Sequence, residues 1–185
     1  MSSVDESLRE TFCTLFMEQR YSDITVDKLC QTAKASRSAF YKRYANKDEL
    51  LVAILVDDLV KPTRDFRKTV PTRKFAEQSQ PMVDALQYER ILEKRDFYKK
   101  VLRECSDVVL HGLTAAFADF DREVMAEYPF DDVERDYVAS VFAADHVFWM
   151  AKWIHDDFSI SVDELVKLHR KWSVGAWEKA IQNFE

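Results

Sequence analysis

Residues 24–55 read ITVDKLCQTAKASRSAFYKRYANKDELLVAIL, and this stretch decides the fold. Thr25 is placed to cap a helix, with Asp27 in the first turn, where the helix dipole favours an anion. Val26, Leu29, Cys30 and Ala33 recur at helical spacing and form the apolar face of a short helix. Lys34-Ala35 interrupts the pattern. Ser36 then caps another helix running to about Tyr44, with Phe40 and Tyr44 on its inner face. Asn46 caps a fourth, which carries Glu49 three residues on and an apolar stripe of Leu50, Leu51, Ile54, Leu55 and Leu59. Pro62 is expected to end that helix, because the residue before a proline resists helical geometry.

Two short helices, a tight break and a basic outer face on the second helix make a helix-turn-helix pattern. A helix that enters a major groove about 12 Å wide needs a polar outer face and an apolar inner face that fixes its angle. Phe40 and Tyr44 supply the inner face, and Arg37, Ser38, Tyr41, Lys42 and Arg43 supply hydrogen-bond donors outside. The whole chain has a net charge of −6, which argues against a generally nucleic-acid-binding surface. The positive charge is local, however. Lys34, Arg37, Lys42, Arg43 and Lys47 fall in a run of the chain that contains no acidic residue.

The same stretch resembles the N-terminal signature of the tetracycline-repressor (TetR) family of transcriptional regulators. The resemblance rests on Ser36, Phe40, Tyr41, Tyr44, Lys47, Asp48, Glu49 and Leu50 in that order, after the capping Thr25 and the apolar-faced helix. It departs from the family at Lys34, where glycine is usual. The segment Arg37-Ser38-Ala39-Phe40-Tyr41 resembles a branch that includes regulators tied to dihydroxyacetone kinase genes. The resemblance implies an all-α fold of about nine helices, with a three-helix helix-turn-helix domain in front of a helical ligand-binding and dimerisation domain. The DNA-binding domain is expected over residues 1–60, its fourth helix linking the domains, and the second domain over residues 61–185.

The flanking sequence agrees with an all-helical chain. Leu8, Phe12, Leu15 and Phe16 mark a first helix over residues 4–19, with Ser3 and Glu6 spaced as a capping box. Residues 61–80 hold Pro62, Pro71 and scattered basic residues, and read as a helix extension followed by a loop. Helical patterns resume at 82–103, with a break near Lys94–Asp96, and again at 107–127. The last two helices, at about 132–156 and 162–183, hold all four tryptophans, and Ser161 with Glu164 caps the second. Glycine occurs only twice, which disfavours a sheet protein rich in tight turns.

DNA contacts are expected from Thr25, Ser36, Arg37, Ser38, Tyr41, Lys42, Arg43 and Lys47. Thr25, Tyr41 and Lys47 suit phosphates, and Arg37, Ser38, Lys42 and Arg43 suit the groove. Phe97, Phe117, Phe120, Trp149 and Trp153 are candidates to line an effector pocket. Homodimerisation is expected through residues 132–183, since long helices this rich in aromatic residues need a partner surface.

The expected partners are a double-stranded palindromic operator and a small-molecule effector that releases a repressor from it. Control by a protein partner is the alternative. An all-helical enzyme is disfavoured, because there is no glycine-rich phosphate loop or nucleophile–base motif. His111, His146, His155 and His169 lack tight ligand spacing, so neither a metal nor a cofactor is expected. Three cysteines without a Cys-x-x-Cys pair, no basic-apolar leader and no membrane-length apolar run suggest a cytoplasmic protein.

Overall fold

A computed structural model describes residues 3–69, 80–126 and 128–174. It is all-helical, and the first four helices follow their local signals closely. Helix α1 spans Val4–Glu18; the Ser3 hydroxyl accepts from the Glu6 amide and the Glu6 carboxylate accepts from the Ser3 amide. Helices α2 (Val26–Thr32), α3 (Arg37–Tyr41) and α4 (Lys47–Leu55) begin at Thr25, Ser36 and Asn46, whose side chains accept from Lys28 N, Ala39 N and Glu49 N. Each cap satisfies an amide that has no partner within its helix. Leu8, Phe12, Phe16, Ile24, Leu29, Phe40, Leu50 and Leu51 fill the space between these helices and are almost wholly buried.

The turn between α2 and α3 places Lys34 at φ 53, in the left-handed region where glycine is free of strain. It is held there by its neighbours: the Ala35 amide donates to Cys30 O at 2.9 Å and the Lys34 amide to Gln31 O at 3.3 Å. The departure from glycine thus leaves the turn geometry in place.

Pro62 does not end the fourth helix. After α4 the chain makes one wider, π-type turn, Val56–Val60, and continues into α5, Lys61–Arg67. The Lys61 amide reaches back to Val56 O. Pro62 then lies in the first turn of α5, where its missing N–H costs nothing. The helix extension expected after residue 60 is therefore present, and Lys68–Thr69 form a turn after it. The expected loop beyond it falls at 70–79, outside the described residues.

The rest of the chain is built on two long antiparallel helices. Helix α6 spans Gln80–Glu93. Lys94 then breaks the path, and α7 runs Arg95–Met125 with a kink at Cys105. That kink is where the periodicity divides 82–103 from 107–127. Helix α8 spans Asp132–His155, capped by Asp131 with Glu134. It is joined to α9, Val162–His169, through two left-handed residues, Asp157 and Phe158. Asp157 is tied to Lys99 at 2.7 Å and Arg95 at 3.1 Å. Trp153 Nε1 donates to Ile160 O across the corner. A π-type turn, Arg170–Val174, follows α9, and the remainder of the expected last helix lies outside the described residues.

The core is continuous from Leu8 to Leu165, so the first four helices and the later ones share one apolar interior. Their junction is tight. Phe97 packs edge-on against Phe16 at 5.6 Å, and Glu104 accepts from the Tyr21 amide at 2.8 Å and from Lys100 at 2.8 Å. At Gly112 helix α7 comes so near α4 that an added Cβ would lie 2.4 Å from Val52 Cγ2. No helix among the described residues is long and apolar enough to cross a membrane.

Candidate functional site

The α2–α3 pair presents one polar face to solvent. Thr25, Ser36, Arg37, Ser38, Tyr41, Lys42 and Arg43 are all exposed, while Phe40 and Tyr44 point inward and are buried. Phe40 anchors α3 beneath Tyr41, whose ring meets it edge-on at 5.4 Å. Tyr44 donates from its hydroxyl to Asp5 Oδ1 at 2.5 Å, which fixes the end of α3 against α1. Arg37 lies over the Tyr41 ring at 5.8 Å and reaches Asp27 at 3.0 Å. Both contacts are exposed, so the guanidinium exchanges them readily for an outside partner. Arg43 donates to Ala39 O at 2.8 Å.

Lys47 differs from the rest. Its ammonium donates to Tyr21 O at 2.6 Å and sits 4.1 Å above the Tyr21 ring, while the Tyr21 hydroxyl bonds Asp48. It braces the start of α4 against the turn after α1. The eight candidates therefore separate into seven on the open face and one that supports it.

A short helix held at a fixed angle by two buried aromatics, with hydroxyls and cations on its free side, is suited to a DNA groove. Residues 12–54 match the sequence model of the family described as "Bacterial regulatory proteins, tetR family". This part of the chain is therefore similar to the DNA-binding region of TetR-family transcriptional regulators. Regulators of this family are DNA-binding transcription factors rather than enzymes.

Two solved structures share the fold over nearly the whole chain. The dihydroxyacetone kinase operon activator DhaS is 21% identical, with a TM-score of 0.58 over 96% of this chain and 97% of that one. A TetR-family transcriptional regulator from Syntrophomonas wolfei is 14% identical, with a TM-score of 0.59 over 95% and 93% of the two chains. No curated protein matches the sequence.

The later helices contain a buried polar cluster. Asp84 and Gln87 from α6, His146 from α8 and His169 at the end of α9 are each under a tenth exposed. Gln87 Nε2 donates to Leu59 O at 3.0 Å and to Thr63 Oγ1 at 2.5 Å, and the Thr63 hydroxyl donates to Leu59 O. A carbonyl only accepts, so the amide orientation is fixed and Gln87 Oε1 faces His146 Nε2 at 2.7 Å. That nitrogen carries the proton, and Nδ1 keeps its lone pair. Burial pushes His146 down to about 4, which leaves it neutral.

His169 lies between two carboxylates, with Nδ1 3.4 Å from Asp84 and Nε2 3.4 Å from Asp145. Burial alone would lower its pKa; the hydrogen bonds and charges of the two acids outweigh it and raise it to about 9. Tyr88 is buried beside His169, its hydroxyl 3.2 Å from Nδ1. Asp121 on α7 is raised by desolvation and by the charge of Asp84.

The proposed pocket aromatics divide around this cluster. Phe117 stacks edge-on to His146 at 4.8 Å, Trp149 lies 5.7 Å from His169 and Trp153 lies 5.7 Å from Tyr88. Phe120 is buried on the same helix as Phe117. Phe97 stands apart, at the junction with α1. A cavity of about 20 Å³ lined by Leu59, Ile91, Leu113, Val147 and Met150 touches none of the five and holds little more than a water.

The cluster was not expected from the sequence, although a signal for it exists. His146 interrupts the buried stripe Ala139, Ala143, Val147 and Met150, and Asp84 with Gln87 falls on the α6 face of Tyr88 and Ile91. Polar residues in an apolar periodic stripe mark a buried site. Cys105 is buried, and burial with the nearby charges of Glu104 and Asp48 pushes its thiol up to about 12, so it is unreactive near neutral pH.

Proposed function

We propose that the regulator works as a homodimer on a palindromic operator, represses by occupying it, and is released by a small-molecule effector. The observation that carries the reading is an exposed apolar stripe on α8. Val133, Tyr137, Val141 and Phe148 are 66%, 71%, 65% and 61% exposed. At 100° per residue they fall within an arc of about 80° on one side of the helix. Leu168 and Trp172, four apart in the α9 segment, are exposed as well. A second copy covering this stripe would remove it from water and pair the two α3 helices, and two half-sites one DNA turn apart require such a pair. The α8–α9 region is the part of residues 132–183 that the described structure reaches.

Seven exposed side chains on α2 and α3 then serve two tasks. Thr25, Ser36 and Tyr41 offer hydroxyls to phosphates, and Arg37, Ser38, Lys42 and Arg43 offer donors to base edges. Lys47 acts through the Tyr21 turn. DhaS bears the name of an operon activator; repression is the simpler consequence of operator occupancy by a paired α3. Control by a protein partner is the second reading. It is supported by the aromatic candidates Phe97, Phe117, Trp149 and Trp153, which are engaged in ring contacts with other side chains.

The test is fluorescence anisotropy on DNA from around the regulator's own gene at several salt concentrations, with sedimentation to count chains. A dimer with sequence-selective binding and a steep salt slope is expected. Tyr137→Glu/Phe148→Glu should yield monomers that bind at least about 100-fold more weakly. Tyr41→Ala/Lys42→Ala should remain dimeric and bind more weakly, losing affinity on every sequence with the Tyr41 phosphate contact and selectivity with the Lys42 base contact. Selective binding by a monomer would overturn the dimer, and non-selective binding across a genome-wide selection would overturn the operator.

A further inference from the structure

We propose that Asp84, His146 and His169 form a binding site for one divalent transition cation of the zinc and cobalt class. One ligand atom from each lies within 4.8 Å of the others, and all three residues are buried. They come from three helices, α6, α8 and α9, so the bound ion would cross-link these helices. Two imidazoles and one carboxylate are the donors that borderline cations prefer, and three protein ligands leave a position for water.

The surroundings of the two histidines favour ligation over a simple buried ion pair. A metal-ligating histidine characteristically donates its far N–H to a carbonyl or carboxylate, which fixes its tautomer and its angle. His146 has such a hydrogen-bonded partner, and His169 has a carboxylate within ion-pair distance of its far nitrogen. Gln87 Oε1 holds His146 Nε2 at 2.7 Å, and Gln87 is itself locked by Leu59 O and Thr63, so Nδ1 is the nitrogen left to donate to a metal. Asp145 lies 3.4 Å from His169 Nε2, and Asp145 in turn accepts from Trp149 Nε1 at 3.2 Å. That leaves His169 Nδ1 toward Asp84. The rings of Phe117 and Tyr88 flank the imidazoles and exclude water from the far side. A pair of salt-bridged side chains needs no such fixing of a neutral second histidine.

The site is independent of the operator reading and would stand in a chain that bound no DNA. The test uses the full chain, stripped with chelator and titrated with Co²⁺ while visible absorption is followed, then with Zn²⁺ in competition. One Co²⁺ per chain with a ligand-field band, displaced by Zn²⁺, is expected, together with a higher Tm. His169→Gln and the near-isosteric Asp84→Asn should each weaken binding by at least about 100-fold. His111→Gln/His155→Gln, on the exposed histidines, should leave it unchanged. Asp84→Asn keeps the packing, so a variant that melts cooperatively and no longer binds supports the site even if His169→Gln does not fold. No stoichiometric band in the wild type, a band that persists in a folded Asp84→Asn, or loss only in the exposed-histidine variant would overturn it.

Discussion

The two halves of the molecule handle polar chemistry in opposite ways. On α2 and α3 the functional side chains are close in sequence, exposed, and held by buried neighbours only a few residues away. In the later helices Asp84, His146 and His169 come from three helices, are buried, and are held by a network that reaches Leu59 in the π-type turn and Thr63 in α5. An exposed local site tolerates the loss of a side chain because water replaces it. A buried network does not, because each orphaned donor keeps its full desolvation cost.

The largest stability effect should therefore come from the buried side. Gln87→Leu strands the buried His146 Nε2–H, while Leu59 O keeps the Thr63 hydroxyl, and should cost about 1–3 kcal/mol in urea unfolding. A loss under about 0.5 kcal/mol, typical of surface positions, would erase the contrast.

Gly112→Ala probes the seam between the halves. Its Cβ would meet Val52 Cγ2 at 2.4 Å, and valine is stiff at χ1, so about 1–3 kcal/mol is expected. Val52→Ala in the same chain should recover part of that, as a double-mutant cycle would show.

Acid should loosen the same seam at Glu104. Its hydrogen bond with Lys100 is the largest influence; burial opposes it, and the Tyr21 amide adds to it, holding the carboxyl down to about 2. A depressed folded-state pKa means that this contribution is fully present above the unfolded value near 4.5. It is lost as pH falls from there toward 2. Glu104→Gln should flatten that part of the stability–pH curve, and an unchanged curve would remove Glu104 from the junction.

The smallest effect belongs to the open face. Ser36→Ala removes the α3 cap and should cost about 1 kcal/mol by thermal melting.

The first half was legible because its determinants are local. Ser3, Thr25, Ser36 and Asn46 cap the helices that follow them. Phe40 and Tyr44 fall inward at their spacing of four. Pro62 was misread because a proline rule assumes an α turn before it, and the π-type turn at Val56–Val60 removes the need for its N–H. Lys47 has the expected place, and nothing in a linear motif reports that Tyr21 folds beneath its ammonium. The histidine cluster was hidden for a related reason. Spacing along the chain is informative when ligands share one helix, and these three do not.

Lys34 has a consequence for how the regulator would find its target. A glycine in the α2–α3 turn would adopt the left-handed conformation without strain but add no charge. Lysine accepts that strain, of order 1 kcal/mol, and sets an exposed cation just ahead of α3. In a dimer the charge appears twice. Non-specific attraction to DNA grows with such charges, and that attraction lets a protein slide and hop toward its site. On the proposed function, the turn would give up a little folding stability in favour of a faster search.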